Sequence, residues 1–286
     1  MEQDTGRKVA LVLEGGGMRG MFTAGVLDCF MDRGLFCERV IGVSAGACSA
    51  VSYISGQRGR SYRINTGYLG DKRYVGLDSF IKTKSMFGMD FIFDEIPNRL
   101  DPFDYKAFLA SPIEMVTGVT DIETGMPVYF DKSAVSPGDS TLWRASSSIP
   151  GFSPVVSFRG GRYLDGGTSD PIPVRRALAD GCGRLVIVLT RDRSYQKAPE
   201  HFRTLYHRMF REYPQLARAL DRRHEIYNET LDFIRRLERD GTAVVIAPSL
   251  PVEISRFEKD LRRLESLYKS GMLDAQLAMR RLHALK

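Results

Sequence analysis

Twice within its first sixty residues the chain passes from a short apolar run through a glycine-bearing turn into a stretch of helical periodicity. That pattern constrains the fold more than any other feature. Residues 8–13 (KVALVL) read as a buried strand, and Gly15-Gly16-Gly17-Met18-Arg19-Gly20 follows almost at once. Residues 21–32 then place Phe22, Val26, Leu27, Phe30 and Met31 at helical spacing. Residues 39–43 (RVIGV) read as a second strand, and Ser44 opens a small-residue helix, AGACSAVSYI, that ends near Gly56. A β-α-β-α unit over residues 8–56 implies an α/β protein, with a parallel sheet flanked by helices.

Downstream the pattern is less even. Residues 57–112 carry Arg, Tyr and Gly and a Met/Phe-rich run, and no clear periodicity. Residues 113–121 and 126–130 read as paired strands around a turn at 123–125. Residues 141–148 read as a short helix, and 154–158 and 162–164 as strands around Gly160-Gly161. Residues 184–190 (RLVIVLT) read as a buried strand, 200–239 as Arg-rich helix, 242–247 (TAVVIA) as one more strand of the same sheet, and 256–284 as a long amphipathic helix or helix pair. The expected organisation is a catalytic domain over 8–190 and a mainly helical extension over 191–286 packed on it.

Composition narrows the class. The opening residues 1–7 are polar and the first apolar run, 9–13, is far shorter than a secretory signal core or a membrane span requires, so the expectation is a cytoplasmic protein. Cys29, Cys37, Cys48 and Cys182 show no CxxC spacing, and neither a zinc site nor a disulfide framework is expected. Cys29 and Cys48 sit in apolar helical contexts as small buried hydrophobes. Lys+Arg total 41 and Asp+Glu 35, and residues 1–190 hold 21 of each, so the whole surplus of +6 lies in the last third. A basic surface there could meet anionic headgroups or nucleic acid, but it lacks a nucleic-acid motif and aromatic interleaving, and a solvated helical face is the plainer reading.

Three motifs carry candidate chemistry. Gly42-Val43-Ser44-Ala45-Gly46 is a GxSxG on a strand-to-helix turn, the setting of a nucleophile elbow. The sharp turn pushes the Ser44 side chain outward, and Gly42 and Gly46 are needed because a Cβ would crowd the adjoining strand and helix. The plainer alternative is a tight turn with Ser44 as an N-cap. Gly15 to Gly20 also matches GxGxxG, which cradles a pyrophosphate in dinucleotide sites. Such a site wants an acid at the end of the second strand. That position holds Gly42-Val43-Ser44 instead, which favours an oxyanion loop over an oxidoreductase. Asp165-Gly166-Gly167 is by itself an ordinary turn signal. A serine nucleophile needs a base, however. His201, His207, His224 and His283 all lie in the Arg-rich C-terminal third, so both a Ser–Asp–His triad and a direct Ser44–Asp165 dyad stay open. A free Asp is a weak base, and desolvation in a cleft would raise its pKa.

GGGMRG after strand one, GVSAG after strand two and DGG far downstream, in that order, resemble the patatin-like phospholipases. Residues 145–154 (ASSSIPGFSP) and 119–125 (VTDIETG) fit the same resemblance, which covers roughly residues 8–190. It implies a three-layer α/β/α sandwich with a mostly parallel central sheet. It implies Ser44 as nucleophile, Asp165 as general base, and an oxyanion hole from Gly15, Gly16, Gly17 and Ala45. Arg19 matches the basic position of the loop and would order it by hydrogen bonds, while Gly20, Gly42, Gly46, Gly166 and Gly167 support the motifs. DGG stands where many members have DGA, and Glu14 has no role in the resemblance. The last hundred residues look like the extension of bacterial members. The implied activity is hydrolysis of lipid carboxyl esters of the phospholipase A or lysophospholipase type through an acyl-enzyme, with no metal or cofactor. The implied partner is a lipid or fatty-acyl ester; peripheral contact at the inner face of the membrane is a separate expectation. Residues 80–93 (FIKTKSMFGMDFIF) could be an interface-docking lid, although such a stretch is more often core. The alternative function is a catalytically silent lipid- or protein-binding module on the same fold.

Overall fold

A computed structural model describes residues 8–285, so the polar start read above as carrying no leader lies outside the described residues. The first strand, β1 (Val9–Leu13), is buried along its whole length: Val9, Leu11 and Leu13 face one core, and Ala10 and Val12 the other. A run without polar alternation is what a strand covered on both faces requires. The chain continues through α1 (Gly20–Asp32), β2 (Arg39–Val43), α2 (Ala45–Ile54), α3 (Arg60–Gly67) and α4 (Leu77–Thr83), then a π-helical stretch, Phe91–Leu100, and α5 (Tyr105–Ala110). Next come β3 (Glu114–Asp121), β4 (Pro127–Asp131), α6 (Thr141–Ser146), β5 (Val156–Phe158), β6 (Gly161–Asp165), α7 (Val174–Ala179) and β7 (Arg184–Val188). The last third holds α8 (Arg203–Met209), α9 (Pro214–Arg239), β8 (Ala243–Ile246) and α10 (Leu261–Leu285).

The result is a three-layer α/β/α sandwich with a mixed sheet. Strands β3, β2, β1, β7 and β8 are parallel neighbours, and β4, β6 and β5 add an antiparallel end. The late strand β8 joins this sheet beside β7. One face is covered by α1, α2 and α10, the other by α7 and α9. Helix α1 is buried from Gly20 to Phe30 because α10 lies across its outer side.

Register explains how distant motifs meet. Gly118 of β3 pairs with Val43 on one edge and Tyr129 on the other, while Val119 pairs with Asp165 and Val128. A strand has two edges, and β4 occupies one, so β2 and β6 share the other. They run toward each other along β3, and their carboxyl ends, Val43 and Asp165, face successive β3 residues. The residues just beyond β2 and at the tip of β6 are thereby brought together across 121 positions of sequence.

Candidate active site

Ser44 stands at φ 53, ψ −128, a left-handed region unusual for a residue with a side chain, and α2 begins at the next residue. The turn is tight enough that a Cβ at Gly46 would sit 2.6 Å from the Leu13 carbonyl oxygen and 2.7 Å from that of Glu14. One at Gly42 would lie 2.9 Å from the Ala47 nitrogen. Both positions must therefore be glycine. The Ser44 side chain does not cap α2. Its Oγ donates instead to Oδ2 of Asp165 at 2.7 Å, which sets aside the N-cap reading.

Asp165 is held from both sides. Its other carboxylate oxygen accepts the Gly167 N–H at 2.7 Å, its own N–H donates to Ser148 O at 2.7 Å, and its carbonyl accepts from Thr120 Oγ1 at 2.8 Å. Ser146 links the two halves: its Oγ accepts the Ser44 N–H at 2.8 Å and donates to Gly118 O at 2.6 Å. The serine run at 146–148 is thus the brace between β3 and the Ser44 turn. Both Ser44 and Asp165 are buried, at 6% and 8% exposure. Burial raises the Asp165 carboxyl above its ordinary range, against the lowering effect of its hydrogen bonds to Ser44 and Gly167 and of the charges on Arg223 and Arg256.

The glycine loop lies against Ser44: a Cβ at Gly15 would be 3.1 Å from the Ser44 Cβ, and one at Gly20 2.8 Å from that of Ala45. The Gly15 N–H points to Pro171 O at 3.4 Å. The N–H groups of Gly16, Gly17 and Ala45 have no acceptor among the described residues, so three of the four expected donors are free and Gly15 is occupied elsewhere. Arg19 also departs from expectation. Its side chain reaches out of the loop, donating to Ile254 O at 3.4 Å, while its backbone N–H donates to the loop carbonyl of Gly16 at 3.3 Å. Gly166 is needed behind the carboxylate because a Cβ there would collide with the Gly118 carbonyl.

A cavity opens from this cluster. Gly17, Ser44 and Ala45 line it together with Arg60, Asn65 and Ser140, and Val51, Ile64, Met89, Ile92, Phe93 and Phe103 supply apolar walls. The Met/Phe-rich run is therefore mostly internal. Phe91 is buried, and Phe87 lines the cavity and packs on Phe257, so neither is free to enter a membrane. Cys48 also lines the cavity, half-buried beside Ser147, and burial pushes its thiol up to about 11. None of the four histidines bonds to Ser44 or Asp165; His207 and His224 both bond to Asp221, and His201 and His283 are exposed. No group of His, Cys, Asp and Glu among the described residues has the arrangement of a metal site.

Glu14, unassigned from sequence, proves to be a buried junction. It accepts the Thr190 N–H at 2.6 Å and the Tyr227 hydroxyl at 2.7 Å, joining the glycine loop to β7 and to α9. Burial raises its pKa. An acid directly ahead of a glycine loop was the available signal, but its partners lie 176 and 213 residues away.

Residues 11–178 match the family model described as patatin-like phospholipase, and residues 213–285 match a domain of unknown function (DUF6363). An uncharacterised protein of Escherichia coli (strain K12), YjjU, is 29% identical over 281 residues, covering 93% of this chain and 75% of that one. Lysophospholipase NTE1 of Candida glabrata is 27% identical over 195 residues, covering 64% of this chain and 10% of that one. Among solved structures, VipD from Legionella pneumophila gives a TM-score of 0.50 at 12% identity, over 98% of this chain and 67% of that chain, which is a likeness of fold alone.

Proposed function

Because the chain belongs to the patatin-like phospholipase family, we propose that it hydrolyses lipid carboxyl esters with Ser44 as nucleophile and Asp165 as general base. The observation that carries this is the 2.7 Å hydrogen bond between the Ser44 hydroxyl and a buried carboxylate, with Ser44 on the wall of a largely apolar cavity. The acyl chain lies along the cavity walls and the ester carbonyl at Ser44 Oγ. Asp165 takes the hydroxyl proton as Oγ attacks the carbonyl carbon. The negative charge that develops on the carbonyl oxygen meets the free N–H groups of Gly16, Gly17 and Ala45 and the positive end of α2. Asp165 returns the proton to the leaving alcohol as the C–O bond breaks, leaving an acyl-serine. Water that gives its proton to Asp165 then attacks this ester. Release of the fatty acid restores the Ser44 hydroxyl. Burial raises the Asp165 carboxyl above its ordinary range, the direction a general base without an imidazole partner needs.

The catalytic portion in this reading is residues 8–190, and residues 191–286 are an extension packed on it. Strand β8 beside β7, and α10 against α1, support that packing. No helix among the described residues is long and apolar enough to cross a membrane. Peripheral contact falls instead to α4, where Leu77 and Ile81 are each 71% exposed next to Lys82 and Lys84.

The test is hydrolysis of a short-chain p-nitrophenyl ester by the wild type, Ser44→Ala and Asp165→Asn, with folding followed by circular dichroism. Both folded variants should lose at least about a thousandfold in kcat/KM. Activity surviving Ser44→Ala would place the chemistry elsewhere.

A further inference from the structure

Asp165 is also approached by a group of charges that takes no part in the apolar cavity. Arg223 donates from Nε to Gly167 O at 2.6 Å and from Nη1 to Glu200 Oε1 at 3.0 Å. The Lys197 ammonium reaches the same Glu200 oxygen at 3.1 Å. Arg256 is seated on the glycine loop: its carbonyl accepts the Met18 N–H at 3.1 Å, and a Cβ at Gly17 would lie 2.5 Å from that oxygen. Its neighbour Phe257 packs on Phe87 at the cavity wall and on Phe152, so the segment runs from the loop to the cavity rim.

The Arg256 guanidinium is half-buried and has no hydrogen bond, ion pair or ring contact among the described residues. Arg223 and Lys197 thus share Glu200 while Arg256 pairs with no carboxylate among the described residues, so the group stays positive even with Asp165 ionised. The crowding is felt in the groups themselves. Burial and the charge on Arg223 bring Lys197 down to about 8 and lower Arg256 as well. In the proposed mechanism Asp165 returns its proton to the leaving alcohol, so the alcohol portion departs on the Asp165 side, where the charges of Arg223 and Arg256 act.

We propose that Arg256, with Lys197 and Arg223, forms an anion site beside the dyad that takes a phosphate group, so that the C-terminal extension selects phosphate-bearing lipid esters over neutral ones. This rests on the hydrolase reading of Ser44 and Asp165. A guanidinium held with all its donors unused, next to two further cations, matches the charge and multiple oxygen acceptors of a phosphate.

The experiment compares kcat/KM for a lysophosphatidylglycerol and for the monoacylglycerol with the same acyl chain, using the full chain. Both substrates meet one dyad, so their ratio cancels any general loss or any shift in Asp165. Arg256→Gln should lower the phospholipid-to-neutral ratio about tenfold, the loss expected for a charge-assisted hydrogen bond. Lys197→Gln should lower it less, and Glu200→Gln should raise it. A ratio that stays within about twofold in both Arg256→Gln and Lys197→Gln overturns the headgroup assignment. Calorimetric titration with inorganic phosphate separates the sources: binding that needs Arg256 while the lipid ratio is unmoved means the site reads free phosphate, not a headgroup. If the wild type cleaves neither ester, the hydrolase reading fails. In that event phosphate binding lost in Arg256→Gln retains the anion site, and binding that persists in the variant removes it.

Discussion

Ser44 keeps its side chain in a left-handed backbone conformation only because the residues around it leave no other course. Gly46→Ala should be the most informative small change. Its Cβ would meet two backbone oxygens of the Leu13–Glu14 turn, which cannot move without disturbing β1. We expect about 1–3 kcal/mol of destabilisation, typical of overpacking, in a urea titration, with ester hydrolysis down by more than the stability loss explains. In the proposed mechanism Asp165 sets the pH dependence. A base works ionised, and burial raises its pKa, so the acid limb of kcat/KM should lie above the ordinary aspartate range, with activity lost as pH falls through it. Arg256 lowers that pKa by its charge, so Arg256→Gln should move the limb to higher pH; a limb that moves the other way would contradict the placement of Arg256. The residues of the Ser44–Asp165 pair were legible because GxSxG and DGG are local strings. Ser146, Thr120 and Glu14 were not, since a serine, a threonine or an acid reveals its role only through a partner far along the chain.

The elements show the same division. Strands β1, β2 and β7 were legible because a strand buried on both faces is apolar without interruption, and Arg39–Val43 and Arg184–Val188 both follow that rule. Residues 57–112 stayed opaque because they are short helices and a π-helical turn carrying Pro97, and neither gives a 3.6-residue stripe long enough to read. The amphipathic pattern of residues 256–284 fits one helix or two, and the structure has a single helix from Leu261 to Leu285. Its contact with α1 depends on two glycines: a Cβ at Gly271 would strike the Phe22 carbonyl, and one at Gly25 that of Tyr268. Gly271→Ala should therefore force α1 and α10 apart and lower the melting temperature, whereas alanine at exposed Gly67, which has open space, should leave it unchanged. On α4, Leu77→Asp with Ile81→Asp should abolish sedimentation with anionic liposomes while short-ester hydrolysis persists; undiminished binding would move the lipid contact off this helix.

The whole molecule depends on its last third. Strand β8 completes the sheet, Tyr227 of α9 holds Glu14, and α10 buries Leu264, Leu267, Ala275, Ala278 and Leu282 against the side of the sheet that carries Ser44. A chain ended after residue 190 would expose that surface, and we expect it to aggregate or to bind a hydrophobic dye without the cooperative unfolding of the full chain. The anion site is likewise a property of the assembled molecule, since Arg223 and Arg256 lie far from Asp165 in sequence. From sequence alone came the α/β class, the early strand-loop-helix order, the family and the Ser44 and Asp165 motifs, all of which are written in short-range patterns of apolarity and glycine. Tertiary structure alone decided that β2 and β6 share one edge of β3, that the serine run and Glu14 brace the site, that the histidines stay away from it, and which cations stand beside Asp165. Those outcomes depend on strand register and long-range burial, and no local string of residues encodes either one.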